Sequence, residues 1–163
     1  MTDPPTFCCK IQTRFSARLR VWLSWIDALL WVEDDSGTFR EMWFRVDCGA
    51  MLTRIPESVA RDKRLPLASA DPPLTLQEDS AAGMRPVLVR RGLLLVRFTP
   101  TQPSLPFPVP VHYVLTPPAH GPARPDPPSL LGLGGVVEQM SWHIDGRASD
   151  GDLDGPCLLT DTR

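Results

Sequence analysis

Nineteen prolines in 163 residues leave little room for helix. Average usage is about 5%, and the ring both locks the backbone and removes an N–H donor. Proline is therefore admitted in first helical turns, loops and edge strands but rarely inside a helix. The distribution sharpens the point, because 11 of the 19 lie between Pro100 and Pro128, six of them within the thirteen residues from Thr116 to Pro128. That last stretch reads as an exposed, semi-rigid connection. A ligand for an SH3-type domain is the other reading, and a loop closing a domain explains it with fewer assumptions. The expectation is a mostly β domain with long connections.

Alternation along the chain agrees. Arg18 to Trp25 sets Leu19, Val21, Leu23 and Trp25 against Arg18, Arg20, Trp22 and Ser24, the period of a strand whose first set forms the more apolar face. Ala28 to Glu33 is a second extended run, Asp34 to Gly37 has turn chemistry, and Thr38 to Val46 returns as a partner strand. Pro56 to Arg64 reads as a short helix, with Glu57 near its positive end and Arg61, Lys63 and Arg64 near its negative end. Ala68 to Leu76 is loop and strand, Glu78 to Gly83 a polar tip, and Pro86 to Phe98 a returning strand. Phe107 to Leu115 suits an edge strand, and Leu130-Leu131 a short buried one. Val136 to Met140 is helix-like, Ser141 to Asp145 a last strand, and Gly146 to Arg163 a disordered tail.

The length suits one domain, enough to bury ~68–70% of the surface an unfolded chain exposes. A net charge of -2 gives no electrostatic case for nucleic acid or an anionic membrane. Met1 to Phe15 lacks the pattern of a secretory signal, and the apolar run Val21 to Val32 is interrupted by Ser24 and Asp27. A cytoplasmic location is expected, with Cys8, Cys9, Cys48 and Cys157 as reduced thiols, since they show no metal-ligand spacing.

Chemistry concentrates in Phe44 to Pro56. Trp43, Phe44 and Val46 lead like a strand into Asp47, and Gly49 lets the backbone turn where a side chain would obstruct it. A carboxylate at the tip of a buried strand is costly unless it is hydrogen-bonded or used. Asp35-Ser36-Gly37 is a decoy for the same pattern. It follows Glu33 and Asp34, and three adjacent carboxylates in a buried loop would repel one another, so a solvated hairpin turn is expected there.

Other chemistries fit less well. His112, His120 and His143 lack metal-ligand spacing, and no metal or cofactor is expected. Gly132 to Gly135 invites comparison with a dinucleotide fingerprint, but Val137 stands where the third glycine belongs. No G-x-S-x-G elbow is present. Beside Asp47, a Cys48 thiolate would be disfavoured as a nucleophile.

Asp47-Cys48-Gly49-Ala50, an apolar pair, Thr53, Ile55-Pro56, Glu57 and Ala60 together resemble the first signature of retropepsin-like aspartic peptidases, small bacterial ones in particular. Ser129-Leu130-Leu131-Gly132 is similar to the second signature, and Gly83 to Phe98 to the flap hairpin, with Ala82, Gly83 and Met84 at its tip. The resemblance spans about residues 17–146, leaving 1–16 as an N-terminal extension and 147–163 as a tail. It implies a closed, mostly antiparallel acid-protease barrel with one or two short helices. It also implies a homodimer in which Asp47 of each copy activates water for peptide-bond hydrolysis, while Gly49 and Ala50 shape the loop. Cys48 stands where the family has a Thr or Ser hydroxyl that bonds across to the partner loop. The alternative reading is a non-catalytic member that binds a peptide or a protein partner.

Overall fold

Residues 21–33 form one strand because its even positions bury a continuous apolar row, Ile26, Ala28, Leu30 and Val32, which outweighs the polar Asp27 between them. The expected apolar face is thus inverted: Val21 and Leu23 are 46% and 42% exposed, while Ala28, Leu30 and Val32 are essentially inaccessible. Asp27 sits on the outer face, where its Oδ2 accepts from Trp25 Nε1 at 3.1 Å.

The computed structural model describes residues 6–47, 49–67, 72–78, 83–98, 106–115, 127–134, 140–144 and 156–161. Its elements are β1 (Thr6–Ser16), β2 (Val21–Glu33), β3 (Phe39–Val46), β4 (Thr53–Pro56), α1 (Glu57–Asp62), β5 (Leu74–Glu78), β6 (Arg85–Arg97), β7 (Phe107–Val114), β8 (Leu130–Leu131), β9 (Met140–Ile144) and β10 (Pro156–Asp161). The molecule is mostly β, and its strands form one ten-stranded sheet in the order β5-β6-β7-β4-β8-β3-β2-β1-β10-β9. The closed antiparallel barrel is not what forms. β5 and β9 remain the ends of the order, the β3–β8 and β4–β7 pairings are parallel, and the sheet folds over through a short β6–β2 contact at Trp31↔Arg97 and Val32↔Val96.

Two expectations at the termini are corrected. Residues 6–16 are not a mere extension, since β1 pairs along β2 from Cys9↔Ala28 to Ser16↔Val21. Nor is the tail disordered throughout, because β10 pairs with both β1 and β9. The helix expected near Val136 lies mostly outside the described residues, and Met140 already belongs to β9. Among the described residues no helix is long and apolar enough to cross a membrane.

The core lies between β2, β3 and β4 on one side and β6 and β7 on the other. Phe44 and Met42 stand opposite Ala28 and Leu30 and meet Ile55, Leu94, Val96, Val109, Val111, Tyr113 and Leu131. Each such large side chain contributes roughly 1.5–3 kcal/mol when fully buried. Gly92 pairs with Val111 and admits the ring of Tyr113, which a Cβ there would strike, and the Tyr113 hydroxyl donates to Pro66 O at 2.9 Å.

The hairpin between β2 and β3 bears out the turn reading of Asp35-Ser36-Gly37, with one difference. Gly37 adopts φ +80, and Asp35 is half-exposed beside Arg64 at 3.0 Å, but Asp34 is buried. Its carboxylate accepts from Ser36 N at 2.9 Å, Ser36 Oγ, Thr38 N at 3.0 Å and Arg40 Nε at 2.6 Å. The Ser36 hydroxyl and the Arg40 guanidinium hold that carboxyl well below the usual carboxylate range, against the opposing effect of burial.

Candidate active-site loop

Asp47 leaves β3 with its backbone still in register: its N–H donates to Leu131 O at 3.0 Å, as Arg45 N–H donates to Ser129 O at 2.8 Å. β8 therefore runs parallel to β3 on one side, Arg45↔Leu130 and Val46↔Leu131, and antiparallel to β4 on the other, Arg54↔Leu130. The chain leaves β3, turns through residues 47–52 and comes back as β4 with β8 inserted between. Residues about 80 apart in sequence thus become one hydrogen-bonded unit.

The turn itself is narrow. Gly49 N–H donates to Asp47 Oδ1 at 2.9 Å and Ala50 N–H to Asp47 O at 3.1 Å, a local arrangement in which the aspartate side chain mimics a backbone turn. Its far side is clamped to the segment after β8 by Leu133 N–H to Ala50 O and Gly134 N–H to Met51 O, both at 2.8 Å. Thr53, 1% exposed, accepts from Gly132 N–H at 3.3 Å through Oγ1. Glycine at 132 is a steric requirement, because a Cβ there would lie 2.5 Å from Leu52 O and 2.8 Å from Thr53 N.

Asp47 is partly exposed rather than sealed at a buried strand tip, while Ala50 is buried and Met51 is 73% exposed. Among the described residues, Gly49 N–H is the hydrogen-bond donor to the Asp47 carboxylate. Such a group is fixed in orientation and reachable by water. Leu130, Leu131 and Gly132 are brought directly against the Asp47 loop, whereas Cys48 lies outside the described residues. The signal that Thr53 closes the site was present in its place after the apolar pair; its bond to Gly132 was not readable.

β5 and β6 form the hairpin expected as a flap, in register from Leu74↔Val89 to Glu78↔Arg85. β6 pairs with β7 only from Val89 onward, so Arg85 to Val87 pair with β5 alone. At the tip Gly83 takes φ +97 and Met84 is 64% exposed; Ala82 lies outside the described residues. The stem is tied down by Glu78, whose Oε2 accepts from Arg85 Nε and Nη2 at 2.9 and 2.7 Å and whose Oε1 accepts from Arg54 Nη1 on β4. His112, paired with Arg54 across β4–β7, is half-buried. Burial first, then Arg54 and Arg91, pushes its pKa below the usual histidine value, so it is neutral at pH 7. His120 lies outside the described residues.

No protein-family model, curated protein or solved structure matches the chain.

Proposed function

We propose that the chain is one half of an aspartic endopeptidase, active as a homodimer in which the two copies of Asp47 face each other. The observation that carries this reading is the joining of residues 47–53 and 129–134, the two segments that resemble the retropepsin-like signatures, into one hydrogen-bonded unit around an oriented, water-accessible carboxylate. The β5–β6 hairpin, standing partly clear of the sheet, supports it as a cover for an extended peptide.

The chemistry needs two carboxyl groups sharing one proton. The ionised one takes a proton from water as its oxygen bonds to the peptide carbonyl carbon, and the protonated one gives its proton to the carbonyl oxygen. Collapse of that tetrahedral diol returns a proton to the nitrogen as the C–N bond breaks, yielding an acid and an amine. One chain supplies one such loop, so the second carboxyl comes from a second copy on a two-fold axis. The proposed setting is the cytoplasm, where thiols stay reduced.

A second reading is a binding module without turnover, favoured by Cys48 standing in the place of a hydroxyl, since a thiol is a weak donor and acceptor. Turnover of a mixed peptide library by the wild type and by Asp47→Asn separates them. The substitution keeps size and removes proton exchange, so cleavage is expected to fall by about 10²–10⁴-fold with the circular dichroism spectrum unchanged. Equal turnover in the two proteins would remove Asp47 from the chemistry.

A further inference from the structure

The sheet register lines up a transverse row on the face opposite the core. Asp27 pairs with Arg45, Arg45 with Leu130, Leu130 with Arg54, Arg54 with His112, and His112 with Arg91. The face is fixed by the neighbours, because Phe44, Leu131, Thr53, Ile55, Val111 and Tyr113 all point into the core. Adjacent strands lie about 4.8 Å apart, which puts the Arg45 and Arg54 backbones about 10 Å from each other across Leu130.

This is also the face of Asp47. It stands two residues beyond Arg45 with the β3–β8 hydrogen-bond ladder continuing to its N–H, and strand side chains alternate. Arg45 leans toward it. The β2–β3 register carried past Asp27↔Arg45 would set Trp25 opposite Asp47, and the Arg45 guanidinium carbon lies 4.4 Å from the Trp25 ring centroid. Its Nε is buried without a hydrogen bond and is ion-paired with Asp27 Oδ1 at 3.6 Å. Arg54 is shared with Glu78, which Arg85 also holds, and Arg91 is exposed. Around the candidate carboxylate four arginines, Arg45, Arg54, Arg85 and Arg91, thus stand with three carboxylates, Asp27, Asp47 and Glu78, an excess of one positive charge. Burial first, and then Arg54 and Arg91, lowers the pKa of His112 in this row.

We infer that this face binds extended peptides carrying Asp or Glu side chains, with Arg45 and Arg54 as the residues that select them. The inference rests on the proposed peptidase reading for the place of the peptide. A planar guanidinium matches a carboxylate with paired donors. Glu78 keeps Arg54 extended along the row until a substrate carboxylate competes for it, and Arg85 then retains Glu78.

The test uses the full chain carrying Asp47→Asn, so that binding is measured apart from turnover. Two pools of fluorescein-labelled extended peptides, with the same apolar centre and flanked by Glu in one and Gln in the other, are titrated by anisotropy. The Glu pool is expected to bind about tenfold tighter or more, as for a hydrogen bond to an ionised partner, with the advantage shrinking as salt rises. Arg54→Gln and Arg45→Gln should each shrink the ratio of Glu-pool to Gln-pool affinity. Equal affinity for the two pools, or a Glu advantage that survives both substitutions, overturns the inference. Loss of the peptidase reading would instead appear as equal turnover by wild type and Asp47→Asn, whichever pool binds better.

Discussion

Asp34 and Gly132 show how single residues fix the two loops at opposite ends of β3. Asp34 enters the interior only because Ser36, Thr38 and Arg40 answer its charge, and its folded-state pKa is depressed. A depressed carboxylate stabilises the fold above its unfolded value of about 3.9 and loses that contribution as pH falls through and below it. Asp34→Asn is therefore expected to lower the melting temperature at pH 7 by several degrees, with the gap from wild type narrowing below about pH 4. A gap independent of pH would place the effect in packing instead. At Gly132 the conflict is steric, because an added Cβ meets backbone atoms of Leu52 and Thr53 that the sheet prevents from moving. Gly132→Ala should cost about 1–3 kcal/mol in denaturant unfolding and should displace the Asp47 loop, lowering turnover more than the stability loss alone explains.

Elements with a local signal are legible in the sequence, and contacts between distant segments are not. The strand into Asp47, the hairpin at residues 34–38, the short helix after Pro56 and the β5–β6 hairpin each carry a local signal: alternation, a Gly-containing turn, a proline before an amphipathic run. β1 carries an alternation too, Phe7, Cys9, Ile11 and Phe15 against Lys10, Gln12 and Arg14, but its pairing with β10 joins opposite ends of the chain and has no local signal. The exposed end of β2 masks its buried face, because Val21 and Leu23 alternate as clearly as the buried row that follows on the other parity. Within the site, Asp47, Leu130 and Gly132 were legible as motifs. The bond from Gly132 to Thr53 arises only when β8 is inserted between β3 and β4, and the tie from Arg54 to Glu78 only when β5, β6, β7 and β4 assemble.

The proposed peptidase chemistry requires an assembly of the whole molecule, since a chain with one Asp47 loop completes a carboxyl dyad only by meeting a second copy on a two-fold axis. Mixing wild type with Asp47→Asn under conditions of subunit exchange, at constant total protein, tests this directly. A site built from two chains loses activity whenever either partner is substituted, so turnover should fall as the square of the wild-type fraction, to about a quarter in an equal mixture. A linear fall, to about half, would mean that each chain works alone and would contradict a dyad shared between copies.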